Sequence, residues 1–303
     1  MDIVRSGLAA PVLDENAAQA FVAELDGAAR RANTPCGEGE MVWRLWGKGP
    51  VLVLLHGGHG SWTHWVRNIA DLAERFTVLA PDMPGYGDSS EPPHPYSAAS
   101  LAEIVATGIA RILAPSQRFA LAGFSFGGIV GGHVARLTRE RTERLVIVAS
   151  GGLGLPRVPM RPLRSWRRLP TLAARQQAHR ENLAILMIHD PARIDALAVH
   201  LQTTNTARTH IDSPPIARTD TLARCLHQVV APLAGIWGEQ DATVKSAIAA
   251  RRDLLRSIDP DAEFEIIADA GHWAPYEEPA AFNAALVAIL ARRRLRRRPE
   301  TVR

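Results

Sequence analysis

The stretch from Leu121 to Gly132, LAGFSFGGIVGG, constrains the fold of this chain more than any other. It crowds five glycines around Ser125 inside an apolar run. A helix loses about 1 kcal/mol for each interior glycine, and a buried strand gains nothing from one, so a local geometric demand has to explain them. Gly123-Phe124-Ser125-Phe126-Gly127 has the form G-x-S-x-G, after the apolar run RFALAGFS and before a helix-like run. In that setting the serine occupies a sharp strand-to-helix turn, and its hydroxyl is held above the sheet edge. Glycines two residues to either side keep a Cβ out of the adjoining strand and helix. No G-K-[ST] or G-x-G-x-x-G follows, which argues against a phosphate-cradling loop.

Such a turn needs a sheet, and the rest of the chain supplies one. VLVLLHG (51–57), RFTVLAPD (75–82), RFALAGFS (118–125), RLVIVAS (144–150), PLAGIWGEQD (232–241) and EFEIIADAGH (263–272) carry apolar runs typical of strands buried on both faces. MVWRLWG (41–47) alternates and suits an outer strand, while 14–32 reads as an amphipathic N-terminal helix. Helical patterns lie between most strands, for example over 97–113 and 243–257. The alternation predicts an α/β protein: a mostly parallel sheet of about eight strands with helices on both faces. It breaks once, between 151 and 230, where helical patterning alone appears. There RENLAILMIHDPARIDALAVHLQTTNTART reads as two helices meeting at Pro191. The expected organisation is a core of residues 1–150 and 231–303 with a helical lid, 151–230, inserted into it.

A serine hydroxyl is a weak nucleophile at neutral pH and needs a base and an orienting acid. For a serine on this kind of turn the chain order is serine, acid, histidine. Asp241 stands in GEQDATV just past one strand run, and His272 in DAGHWAPYEEP just past another. Both fall on the rim that carries Ser125, where parallel sheets place their chemistry. The expected roles are attack by Ser125, proton transfer by His272, and orientation of the imidazole by Asp241. Glu239, in the same loop as Asp241, is the rival acid. Developing negative charge on the substrate oxygen needs donors. The N–H of Phe126 and that of Gly58, from LHGGHGSW, are the candidates, with His56 and Gly57 shaping the turn. His56, His59 and His64 have no carboxylate at a zincin spacing, so neither a metal site nor a cofactor is expected.

On these residues the chain resembles the α/β-hydrolase superfamily, over about residues 40–292, through HGG, APDMPGYGDS, GFSFGG, GEQDATV and GHW. The resemblance implies the α/β-hydrolase fold and a serine hydrolase without a cofactor. Asp82 and Gly85 to Gly87 match a turn that is structural in that superfamily. A serine nucleophile sets the chain apart from the dehalogenase and epoxide-hydrolase branches, which use Asp. APDMPGYGDS, GHW and ENLAILMIHDP resemble the meta-cleavage product hydrolases, which break a carbon–carbon bond in 2-hydroxy-6-oxo-dienoates from aromatic degradation. The chain departs from that branch at Phe124 and Phe126, where Asn and Met are usual, and in its shorter oxyanion turn. The branch implies a lid arginine for the substrate carboxylate, and Arg175 and Arg180 are the nearby candidates. Phe124, Phe126, Trp273 and Trp62 are expected to give the pocket an aromatic wall. Ester hydrolysis and carbon–carbon hydrolysis share this constellation. A non-catalytic ligand-binding protein on the same fold, or a cofactor-free haloperoxidase-type perhydrolase, are the alternatives.

Composition bounds the partners. Cys36 and Cys225 are the only cysteines, so there is no disulfide framework. No apolar run reaches the roughly 18 residues of a membrane span, and MDIVRSGLAAPVLDEN lacks the pattern of a secretory signal. A cytoplasmic enzyme with no membrane partner is expected. The arginine-rich ARRRLRRRPETVR reads as the solvated, frayed end of the last helix. No nucleic-acid module accompanies it, so no nucleic-acid partner is expected. Residues 151–230 hold eleven arginines, no lysine and five acids. That excess either draws in an anionic, carboxylate-bearing small molecule or is a solvated surface of a chain with only two lysines. Homo-oligomerisation is left open.

Overall fold

The computed structural model describes residues 14–156 and 158–292. Eight strands form one sheet: β1 (Arg30–Cys36), β2 (Gly39–Trp46), β3 (Val51–Leu55), β4 (Thr77–Pro81), β5 (Phe119–Phe124), β6 (Thr142–Val148), β7 (Leu233–Gly238) and β8 (Glu263–Ile267). Their order is β1-β2-β4-β3-β5-β6-β7-β8. β2 pairs antiparallel with β1 and β4, and every other pairing is parallel. β3, β5 and β7 are buried at every position, because parallel strands covered on both faces have no solvent side for polar residues.

The longer helices are α1 (Glu15–Gly27), α2 (Ala98–Ile112), α3 (Phe126–Thr138), α4 (Leu172–Asn182), α5 (Ala196–Ala207), α6 (Ile248–Ile258) and α7 (Pro279–Ala291). α2 starts at Ser97, whose Oγ accepts the Ser100 N–H at 3.2 Å while Ser100 Oγ accepts the Ser97 N–H at 2.8 Å. That reciprocal cap satisfies two donors that a helix start leaves open. Alternation along β5 sorts the two faces. Leu121 and Gly123 face α3, whereas Phe124 meets the ring of Trp65 at 6.4 Å. Trp65 in turn meets Phe282 of α7 at 5.8 Å, so helical segments cover both sides of the sheet.

One expectation needs correction. The helix expected over 14–32 stops at Gly27, and Arg30–Cys36 is the edge strand β1. RRANTPC pairs only with β2 and buries just Thr34 and Cys36, so it carries no apolar run to announce a strand. Between β6 and β7 the two long helices are present, with Pro191 in the stretch that joins them. α4 runs into a π turn, Leu183–Met187, then a short turn at Pro191–Arg193, and Asp195 caps α5 by accepting the Ala198 N–H at 2.9 Å. The arginine-rich C-terminal end lies outside the described residues.

The 151–230 segment is tied to the sheet domain by buried polar contacts. Arg67 pairs with Asp195 at 2.5 Å, and Tyr276 donates its hydroxyl to the other oxygen of that carboxylate at 2.5 Å. Ser61 donates to Asn205 at 2.9 Å.

Candidate active site

Ser125 is the single residue between β5 and α3, at φ 51° and ψ −111°. A residue with a side chain rarely adopts that region and needs its surroundings to hold it there. Its N–H donates to Val148 O at 2.8 Å, and Ser150 Oγ donates to the Ser125 carbonyl at 2.7 Å. The turn is tight enough that its two glycines are obligatory. A Cβ on Gly123 would lie 2.3 Å from Gly127 O, and one on Gly127 would lie 2.3 Å from Leu55 O and 2.5 Å from His56 O. Those obstacles are main-chain atoms and cannot rotate aside. Gly127→Ala is therefore expected to destabilise the fold by about 2 kcal/mol, read as a lower midpoint in urea denaturation. An unchanged midpoint would mean that α3 is not pressed against β3.

The other two candidates follow from strand ends on the same edge. Asp241 lies in the turn after β7, wholly buried, and His272 follows β8 with 6% of its surface exposed. Asp241 Oδ2 is 2.9 Å from His272 Nδ1, and His272 Nε2 is 3.1 Å from Ser125 Oγ. The second oxygen of Asp241 accepts the N–H and the hydroxyl of Thr243, each at 2.8 Å. Burial alone raises the Asp241 carboxyl, but the His272 ring and the Thr243 donors outweigh it and hold it below the usual carboxylate range. An ionised carboxylate only accepts, so it fixes the proton on Nδ1 and turns the lone pair of Nε2 toward the serine. Glu239, the rival acid, is exposed and accepts the Asp269 N–H at 3.3 Å instead. Phe124 packs against the imidazole, with centroids 5.2 Å apart.

The two oxyanion candidates adjoin one another. Phe126 opens α3, so its N–H has no partner within the helix. A Cβ on Gly58 would lie 3.7 Å from Phe126 Cβ. Gly57 is spent differently, donating its N–H to His64 Nδ1 at 3.0 Å, which leaves Gly58 as the next donor along the turn. His56 braces the turn from below, with Nδ1 2.8 Å from Gly57 O and Nε2 accepting the Met83 N–H at 2.9 Å. Burial, reinforced by neighbouring histidine rings, holds His64 well below the usual imidazole range, so it is neutral. Among the described residues no group of three His, Cys, Asp or Glu is placed to hold a metal ion.

Of the expected pocket residues, Trp62, Trp273 and the two arginines are engaged elsewhere. Trp62 sits 5.4 Å from Trp46, under the Arg44 guanidinium, and donates its N–H to Asp82 Oδ1 at 2.9 Å. Asp82 also pairs with Arg44 at 3.0 Å, so Trp62 belongs to a structural knot and is not brought to Ser125. Trp273 stacks on Tyr276 at 4.2 Å and donates its indole N–H to His64 O at 2.9 Å, supporting the His272 loop from behind. Arg175 donates to Leu169 O at 3.0 Å, and Arg180 donates to Ile194 O. Both guanidinium groups are occupied within the helical segment.

A cavity of about 710 Å³ opens beside His272, with Leu186, Ile188 and Ile248 on its apolar side and Arg161 and Lys245 among its polar residues. Neither cation was singled out beforehand, since Arg161 lies where the sequence shows no periodic pattern and Lys245 reads as a solvated residue at the start of the 243–257 helical pattern. Glu277 was missed too, because a glutamate in PYEEP reads as solvated. It is 2% exposed and accepts the N–H groups of Gly271 at 2.7 Å, His189 at 3.0 Å and Asp190 at 2.8 Å. Together with Trp273 N–H donating to Met187 O at 2.7 Å, it joins the His272 loop to the helical segment.

Comparison with known proteins agrees with this architecture. The profile of a family described as the alpha/beta hydrolase family matches residues 52–285. A 2-hydroxy-6-oxononadienedioate/2-hydroxy-6-oxononatrienedioate hydrolase of Cupriavidus pinatubonensis is 28% identical over 262 residues, 79% of this chain and 86% of that protein. A pimeloyl-[acyl-carrier protein] methyl ester esterase of Vibrio campbellii is 37% identical over 108 residues, 36% of this chain and 40% of that protein. Among solved structures, a meta-cleavage product hydrolase from Pseudomonas fluorescens superposes with a TM-score of 0.70 at 20% identity, over 86% of this chain and 97% of that one.

Proposed function

The chain belongs to the alpha/beta hydrolase family, and on that premise we propose that Ser125, His272 and Asp241 hydrolyse a small, partly apolar carbonyl substrate by acyl transfer. Ser125 Oγ attacks the carbonyl carbon as its proton passes to His272 Nε2. The carbonyl oxygen becomes an oxyanion between the N–H groups of Phe126 and Gly58, donors each worth about 3 kcal/mol in such sites. Collapse breaks the bond to the leaving group, which takes the proton from His272. Water, activated by the same imidazole, then releases the acid and restores the serine. Asp241 stays ionised throughout and stabilises the imidazolium while it exists.

One observation carries this reading: a single imidazole lies between a fully buried carboxylate and the serine hydroxyl, at 2.9 Å and 3.1 Å. We read residues 151–230 as the lid over the site. The relatives named as a 2-hydroxy-6-oxononadienedioate/2-hydroxy-6-oxononatrienedioate hydrolase and as a methyl ester esterase support both the dienoate and the ester as candidate substrates.

The test pairs labelling with turnover. A fluorophosphonate is expected to add to Ser125, found by mass mapping of the peptide that contains it. Short-chain p-nitrophenyl esters and a 2-hydroxy-6-oxo-dienoate are assayed side by side. Turnover of the dienoate far above the esters assigns carbon–carbon hydrolysis, and the reverse assigns an esterase. Tight binding of either with no turnover and no labelling would overturn the hydrolytic reading in favour of a ligand-binding protein.

A further inference from the structure

The segment between β6 and α4 exposes aliphatic surface among exposed arginines. Residues 159–165 are consecutively exposed. Within it and at the start of α4, Met160 is 39% exposed, Leu163 49% and Leu172 55%. The other large apolar side chains exposed on the described residues, Leu137 and Ile266, stand singly elsewhere. Arg161, Arg164, Arg167 and Arg168 are interleaved with the aliphatic ones and are exposed themselves, and Arg164 pairs with the exposed rim of α4 through Glu181 at 2.8 Å. From 155 to 180 the sequence contains no acid. Isolated exposed leucines need no explanation, whereas three within one short arginine-rich segment call for a partner that takes both kinds of side chain. Pro159, Met160 and Arg161 also line the cavity that reaches His272.

We propose that residues 159–172 dock this protein on an anionic lipid bilayer, and that the cavity behind them receives an amphiphilic ester from that surface. A lipid interface meets both demands: headgroup phosphates take the guanidinium forks, and the acyl boundary takes Met160, Leu163 and Leu172. A second copy of the chain fits worse, since a two-fold contact would set these arginines against one another. Nucleic acid would satisfy the arginines and leave the aliphatic side chains in water. The expectation of no membrane partner rested on the lack of a spanning run, and peripheral docking needs none. The docking claim stands independently of the hydrolase reading, while the substrate claim rests on it.

Ser125→Ala protein, which consumes no lipid, is to be sedimented with vesicles of phosphatidylcholine alone and of phosphatidylcholine with phosphatidylglycerol in equal parts. Binding is expected to the second and not the first, and to fall as salt rises. Arg164→Ala and Arg168→Ala are each expected to weaken it about fivefold, and Leu163→Ser with Leu172→Ser to weaken it further. Thermal melts of these variants are expected to match the parent, since all four side chains are exposed. In the catalytically intact protein the same substitutions should spare hydrolysis of a water-soluble ester and slow that of a long-chain ester presented in anionic vesicles. Absence of vesicle binding, binding indifferent to the four substitutions, or displacement of the vesicles by duplex DNA would overturn the docking claim. So would a concentration-dependent dimer abolished by those same substitutions. Vesicle binding with no hydrolysis of any ester would instead overturn the hydrolase reading and leave the docking surface standing.

Discussion

Ser125→Ala is expected to lower kcat by about a millionfold while changing stability by less than ~1 kcal/mol. The hydroxyl makes one contact that matters, to His272 Nε2 at 3.1 Å, and alanine fills the same strained position without new bulk. Asp241→Asn is expected to cost about ten-thousandfold, because its amide can present N–H to the ring and favour the tautomer that carries the proton on Nε2. KM for a short-chain ester should move little in either variant, since neither change removes cavity wall. The asparagine variant also carries a pH signature. Asp241 is held below the usual carboxylate range in the fold, so its contribution to stability is complete above that range. The contribution is lost as pH falls toward the lower folded value, and Asp241→Asn should abolish that acid-side decline. Residual turnover of more than about one part in a thousand in Ser125→Ala would place the nucleophile elsewhere.

That prediction draws on the part of the molecule most legible in the sequence. β3, β5 and β7 announce themselves because strands covered on both faces contain little but apolar residues. Once those strands are fixed, the turns after them are fixed too. Ser125, Asp241 and His272 each follow a parallel strand, and convergence comes from topology, not from any pattern linking the three. Legibility fails where topology stops dictating. β1 is polar and half-exposed, so its first three residues, Arg30 to Ala32, look like the tail of a helix. Trp62 belongs by composition to an aromatic wall, yet the buried charge of Asp82 and Arg44 claims it. Arg175 and Arg180 lie near the right stretch of chain, but helix geometry aims them at the carbonyls of Leu169 and Ile194. Arg161 reaches the cavity from a segment with no periodicity at all. Side-chain direction in such a segment depends on the path of the chain, which residue order does not state.

Glu277→Ala is the second large effect, expected to cost about 3 kcal/mol of stability and about a hundredfold in kcat. The carboxylate is buried and gathers three main-chain donors from two separate stretches: Gly271 beside the imidazole, and His189 with Asp190 after the π turn. Alanine leaves the Gly271 N–H buried without an acceptor and cuts the loop from the segment that steadies it. The catalytic loss arises because His272 directly follows Gly271, so a shift of that residue carries the ring away from Ser125. Glu277→Gln keeps the shape and one acceptor oxygen, but turns an amide N–H toward a donor, and should fall between the two. The separation from a purely structural role is kinetic: at temperatures where Glu277→Ala stays folded, kcat and the rate of fluorophosphonate labelling should both fall while KM holds. A variant that melts earlier yet labels at the parental rate when folded would show that Glu277 holds the helical segment in place without positioning the histidine.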